Sequence, residues 1–263
     1  MKTEDPPLIP EQRRALIVQH LGRDSVLSYR QLATAIGVSH MTIRRDIAAL
    51  EAEGRVVAMP GGAKLGERLA AEPPRSAKYL VDIAEKRSMS RHAASLVRES
   101  MTIYLDAGTS LQPMRAELEK FVNLTIVTND LVIAASYIDH PTIDIITVGG
   151  RLDKENQSTV GRLPSLVFAE LNIDIAFLTS SSWDLARGIT IPGESKVDPK
   201  KAAMRAATTT VLVAASSKYG TFARYRVAEL GDVDRIITDD SLPLVTAEAI
   251  EAQTGTAVVR VSP

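Results

Sequence analysis

The chain has 263 residues, of which 45% are hydrophobic, 24% charged and 4% aromatic, with no cysteine and a net charge of −1. That length suits one large domain or two ordinary ones in a globular protein, and the lack of cysteine excludes disulfides, thiol catalysis and thiolate metal sites. No apolar run approaches the roughly 20 residues of a membrane span, and Met1–Pro10, acidic and proline-rich, lacks a secretory signal pattern, so a cytoplasmic protein with no membrane partner is expected.

Charge is unevenly spread. Residues 1–65 hold nine Lys/Arg against seven Asp/Glu, and the remainder holds 22 against 25, a weakly basic head on a weakly acidic body. In PEQRRALIVQHL (10–21) the residues Leu16, Ile17 and Leu21 fall at helical spacing, with Pro10 suited to a first turn. Ser28 is placed to cap a second helix that Gly37 closes. After Val38, Ser39 caps a third helix ending at Gly54, with Ile43, Ile47 and Leu50 as its buried stripe. His40, Met41, Thr42, Arg44 and Arg45 are left on its early, outward turns. A helix, a tight glycine turn and a second helix with basic groups near its start is the helix-turn-helix arrangement. Two successive arginines suit it, because one Arg bonds both acceptors of a guanine. RVVAMPGGAKL (55–65) then predicts a β-wing. Taken alone, the Arg pair reads first as a solvated face of a three-helix packing module; the caps, turn and wing in order favour the DNA-binding arrangement.

Residues 66–80, around GERLAAEPPRSAK, lack any apolar period and contain Pro73-Pro74, so a linker is expected there. Beyond them, seven β-branched runs alternate with helix-like stretches: MTIYLD, LTIVTN, TIDIITVGG, IDIAFLTS, TTTVLVAAS, RIITDD and TAVVRVS. This pattern predicts an α/β body with a parallel-rich sheet and flanking helices over residues 81–263, behind a head of residues 1–65.

Three loops at strand ends hold candidate ligand-binding groups, where α/β folds bind ligands. Asp106, Gly108, Thr109 and Ser110 follow the first run and are expected to open a helix, an arrangement that suits a phosphate but whose ordinary reading, taken alone, is a capped α/β turn. Ser181, Ser182, Trp183 and Asp184 follow the fourth run. Trp183, the chain's single tryptophan, suits either stacking on a sugar or filling a core gap, and Asp184 either accepting hydroxyls or capping a turn. Lys218 in Ser216-Ser217-Lys218 offers a point charge to phosphate, or is a solvated lysine. Asn129 and Gly149-Gly150 end two further runs. Histidines at 20, 40, 92 and 140 never pair at i, i+4, so neither metal nor cofactor is expected.

The string VSHMTIRRDIAALEAEG with the wing's GGA resembles the amino-terminal domain of DeoR-type bacterial transcription regulators. The wing departs from that pattern, with Ala58 and Pro60 in place of basic residues, which shifts the expected DNA contacts to the helix and Lys64. From about Glu85 to Asp240 the body resembles the same family's sensor domain. The matching stretches are EKR (85–87), GTS (108–110), VTN (127–129), GGRL (149–152, with Gly150 and Arg151), Asp184 with Gly188-Ile189-Thr190, Lys201 with Met204, and SSK (216–218). The resemblance implies a fold like ribose-phosphate isomerases and a phosphorylated-sugar effector. Departures at Ala215, Lys200 and the serine-rich loop 180–182 cluster around that expected effector.

The expected function is thus a repressor binding double-stranded operator DNA as a homodimer or homotetramer, its DNA affinity altered by a sugar phosphate. One alternative is a sugar-phosphate isomerase with an appended helical domain; it needs a positioned carboxylate base, and loop 180–182 offers serines. The other is a DNA-binding protein with a ligand-free body.

Overall fold

The computed structural model describes residues 8–263. The first seven residues of the expected head, and with them most of the proline-rich opening, lie outside the described residues.

In the head, α1 (Pro10–Asp24) buries Ile17 and Leu21, while Leu16 is only half-buried. The Ser28 hydroxyl accepts from the Gln31 amide at 3.1 Å and the Gln31 side chain returns to the Ser28 amide at 2.8 Å, a reciprocal cap that starts α2 (Tyr29–Ile36). Gly37, at φ 75°, closes α2 in the left-handed region. Ser39 caps α3 (His40–Ala52) through the Thr42 amide at 3.1 Å. The stripe Ile43, Ile47 and Leu50 is buried as expected. Arg13 grips the buried Asp46 with two nitrogens, at 2.7 and 3.2 Å, and so fixes α1 against α3. The wing strands Val56–Met59 and Gly62–Leu65 form, and a third strand, Val26–Ser28, joins their sheet. Three residues offer too short a period to be read from sequence.

The seven β-branched runs become one parallel sheet, ordered Ala257–Val261, Arg235–Asp239, Ala207–Val213, Ile173–Leu178, Thr102–Leu105, Thr125–Thr128, Asp144–Thr147. Strand alternation sends Tyr104, Ala176 and Leu212 into one core layer and Ile103, Phe177 and Val213 into the other. The chain builds outward from Thr102–Leu105 to one edge, then restarts at Ile173–Leu178 and builds to the other. The loops leaving those two strands therefore diverge and open a crevice at the carboxyl ends of the sheet. A small antiparallel sheet, Ser182–Asp184, Gly188–Ile191 and Tyr225–Ala228, covers one side.

Residues 66–80 are not a featureless connector. Glu67–Arg68 pairs in parallel with Thr221–Phe222, and Arg75–Tyr79 forms the short helix α4 lying on the body. Proline and the absence of apolar period marked this stretch as a linker, but its seating comes from charged groups, which carry no hydrophobic periodicity. The head is also seated directly. Val57 of the wing belongs to the body's core, and Gly220, at φ 75°, lies so close beneath it that an added Cβ would fall 2.1 Å from a Val57 methyl. Gly220→Ala is therefore expected to cost about 1–3 kcal/mol from overpacking and left-handed strain together. Urea unfolding of the full chain checks this; an unchanged midpoint would mean that head and body are not packed as described.

Candidate effector cavity and nucleic-acid interface

The crevice is a cavity of about 430 Å³ lined by five lysines, at 78, 86, 196, 200 and 218, and three carboxylates, Glu72, Asp82 and Asp106. The expected residues Asp106, Gly108, Thr109, Ser110, Asn129, Ser181 and Lys218 all line it.

Asp106 and Asn129 build the cavity rather than offer free groups to it. The Asp106 carboxylate, 1% exposed, accepts from the Thr179 amide at 2.8 Å, the Thr179 hydroxyl at 3.1 Å, the Tyr104 hydroxyl at 3.1 Å and the Lys200 ammonium. Asn129 accepts from Tyr104 at 2.8 Å and from the Ala107 amide at 3.1 Å, and donates to the Thr159 carbonyl at 2.9 Å. The Gly108 amide is taken by Asp130 at 3.0 Å. The amides of Thr109 and Ser110 donate to no acceptor among the described residues. Both residues are buried and line the cavity in a turn. The helix expected to open there begins only at Met114 and spans five residues, so unpaired amides, not a helix dipole, are what this loop offers an anion.

The lysines divide into two groups. Lys200 is neutralised by Asp106, and Lys78 and Lys196 flank Glu72 at 2.5 Å each. Burial pushes the Glu72 carboxyl up, but the two ammoniums outweigh it and hold it down at about 2. Lys86 and Lys218 form no salt bridge among the described residues. Lys86 donates to the carbonyls of Lys78 and Val81, and Lys218 to the Ser180 carbonyl at 2.9 Å. Burial, followed by repulsion from Lys86 and Lys78, lowers Lys218 to about 8; burial likewise lowers Lys86. Ser158, fully buried on the cavity wall, has a hydroxyl with no partner. The site thus offers two lysines outside any salt bridge, with Asp82 as the nearby carboxylate acting on both, together with unpaired loop amides and hydroxyls. That set is suited to one anionic group on a hydroxylated ligand.

The remaining expected effector residues are not brought to the cavity. Trp183 is fully buried, edge-on to Tyr219 at 4.9 Å with its indole N–H on the Ala215 carbonyl at 3.2 Å, so it fills the core. Asp184 caps the following turn by accepting from the Arg187 amide at 2.5 Å and its guanidinium at 3.1 Å. Ser182 is bonded to Thr190. Gly150 lies against Pro164, and Arg151 is exposed on a hairpin strand. Lys201 is exposed, whereas its neighbour Lys200 is buried. The helix Val197–Ala206 turns Pro199, Lys200 and Ala203 inward, a phase that adjacent lysines do not reveal. Glu72, Lys78, Lys86, Lys196 and Lys200 were missed as site residues; Lys86 carried a signal within EKR, and Lys200 one as a departure beside Lys201.

On the head, Ser39, His40, Met41, Arg44 and Arg45 are exposed along the start of α3, and Thr42 and Lys64 are half-exposed. Tyr29 meets the His40 ring edge at 5.5 Å and the Arg44 guanidinium at 5.6 Å, which orients two of these side chains.

Residues 13–68 match the family described as the DeoR-like helix-turn-helix domain, and residues 81–240 the DeoR C terminal sensor domain. An HTH-type transcriptional regulator of Haemophilus influenzae is 39% identical over 90% of this chain and 92% of its own length. The HTH-type transcriptional regulator YgbI of Escherichia coli K12 is 39% identical over 94% and 96%. A solved ribose 5-phosphate isomerase A from Methanocaldococcus jannaschii superposes on 51% of this chain and 53% of its own, with 16% identity and a TM-score of 0.38.

The contrast between neighbouring lysines is directly measurable. Lys200→Met leaves the Asp106 carboxylate buried without its cation and is expected to cost about 3–5 kcal/mol. Lys201→Met is expected to stay within about 0.5 kcal/mol of wild type. Denaturant titration of the two variants compares them; equal losses would remove the role assigned to Lys200.

Proposed function

This chain belongs to the DeoR family of helix-turn-helix transcription regulators, not to the enzymes, and on that premise we propose that it represses transcription under control of a phosphorylated sugar bound in the cavity. One observation carries this reading: Lys86 and Lys218, without carboxylate partners, share a cavity with the free amides of Thr109 and Ser110. Thr109, Ser110 and the two lysines take the phosphate. Ser158 and Ser181 line the same cavity for the sugar hydroxyls. Asp106, Gly108 and Asn129 hold the loops in place. Five lysines against the three carboxylates Glu72, Asp82 and Asp106 leave the cavity a charge excess that a single phosphate dianion offsets.

Operator recognition falls to α3, entering the major groove with Ser39, His40, Met41 and Thr42 at its leading turn and with Arg44 and Arg45 reaching base edges or phosphates. Lys64 on the wing strand neutralises backbone phosphate. Two heads on a two-fold axis read a palindrome, so a homodimer or homotetramer in the cytoplasm is the working form. The effector acts by binding one seating of head on body better than another, and DNA affinity changes by that difference.

Calorimetry with a panel of phosphorylated and unphosphorylated sugars tests the cavity. A phosphate-dependent ligand is expected, bound at least about tenfold (~1.4 kcal/mol) more weakly by Lys218→Ala. The pH dependence has a defined sign. The ligand becomes dianionic above its second pKa of about 6, and Lys218 loses its proton above about 8. Affinity therefore peaks between these values and falls as pH rises past 8, and Lys218→Ala loses most of that fall. A phosphate-independent ligand, or affinity still rising above pH 8, would overturn the assignment.

For the head, Lys64→Ala is expected to weaken binding to all duplexes and to reduce the slope of log affinity against log salt by about 1. Arg45→Ala is expected to cost about 1–3 kcal/mol and to relax sequence preference. Fluorescence anisotropy over a salt series, with operator and random duplex, separates the two. Equal effects of both variants on both duplexes would argue against α3 as the reading element.

A further inference from the structure

The segment joining head to body lines the cavity. Leu69, Glu72, Pro73, Ala77 and Lys78 all face it, although they lie outside the sheet loops that form the rest of the site. What seats this segment is Arg75, only 7% exposed. Its guanidinium donates to Asp130 Oδ2 at 2.6 Å, to the Asn156 carbonyl at 3.3 Å and to Gln112 Oε1 at 3.3 Å. The same Asp130 oxygen accepts the Gly108 amide at 3.0 Å, while its other oxygen caps Val132 and Ile133 at 2.8 and 3.0 Å. A single buried carboxylate therefore joins the interdomain segment to the loop carrying Thr109 and Ser110.

Lys86 makes a second connection between the same parts. Its ammonium has three donors, and two are used on the segment's carbonyls at Lys78 and Val81. The third is left for an anion in the cavity. From Arg75 the chain runs back through Leu69, whose amide donates to the Phe222 carbonyl at 2.7 Å, and through Glu67–Arg68 to the wing strand ending at Leu65.

We propose that Arg75 is a positioning residue for the effector loop and that residues 69–82 are a ligand-responsive wall of the cavity, through which the bound anion sets the seating of the wing. This rests on the reading of the cavity as an anion site. Phosphate completes the donors of Lys86 and fixes the Thr109–Ser110 turn, so both sides of the Arg75–Asp130 joint tighten together. Arg75 makes no contact with the anion; it acts through Asp130 and Gly108. The head meets the consequence as a change in how firmly the stretch between Leu65 and Arg75 is held.

Hydrogen–deuterium exchange of the full chain with and without inorganic phosphate tests this. In wild type, peptides covering 69–82 and 106–112 are expected to slow together. In Arg75→Ala, phosphate binds about tenfold more weakly, and at saturation 106–112 still slows while 69–82 does not. Arg75→Lys, which keeps the charge, recovers part of the joint response. Slowing of 106–112 alone in wild type would overturn the proposal and leave the anion site standing, a result that needs no variant to fold. Slowing of neither segment with phosphate or any sugar phosphate would overturn the anion site and the proposal with it. An Arg75→Ala protein that folds and responds as wild type would remove Arg75 from the positioning role.

Discussion

The buried carboxylate of Asp106 is the constraint on which the cavity depends. It sits where the sheet changes its direction of growth, and there the loops after Thr102–Leu105 and Ile173–Leu178 have no reason of their own to stay together. By accepting from Thr179, Tyr104 and Lys200, Asp106 ties three separate parts of the chain to one point. A charge so buried is tolerated because its cation and donors are all in place. The same principle recurs at Asp130, whose two oxygens serve a helix start, a loop amide and an arginine from outside the sheet. Each side of the crevice is thus organised around one carboxylate.

Cancellation elsewhere is what gives the two remaining cations their meaning. A body that is acidic overall lines its cavity with more lysines than carboxylates, and most of those lysines are engaged by partners within a few ångströms. Net charge by domain could not have disclosed this, because the imbalance is local. An unpaired, partly desolvated ammonium is unfavourable in the empty protein, and an arriving dianion relieves it. The energy of binding comes in part from that relief.

The fold was largely legible in the sequence because its signals are periodic or positional. β-branched runs between helical stretches gave all seven strands of the main sheet, and Ser28, Gly37 and Ser39 marked helix ends by the hydrogen bonds and backbone angle that those residues supply. The cavity was only half legible. Loops at strand ends were found because strand ends can be located. Trp183 and Asp184 were left open between ligand and structural roles, and the structural roles are the ones seen. Lys200 differs from Lys201 only by helix phase, and the contribution of Glu72, Arg75 and Lys78 depends on long-range pairing that no local pattern encodes. The short strand Val26–Ser28 escaped for lack of length.

The position of Trp183 has a practical consequence. As the only indole in the chain it makes the tryptophan fluorescence of the whole protein a single-site signal. Its ring stands against Tyr219, the residue between Lys218 in the cavity and Gly220 beneath the wing, and its N–H is held by the carbonyl of Ala215, just before the Ser216–Lys218 turn. A shift of that turn alters the polarity around the excited indole and the distance over which Tyr219 passes it energy. The protein therefore carries an optical reporter at the junction of its two halves, readable without any label.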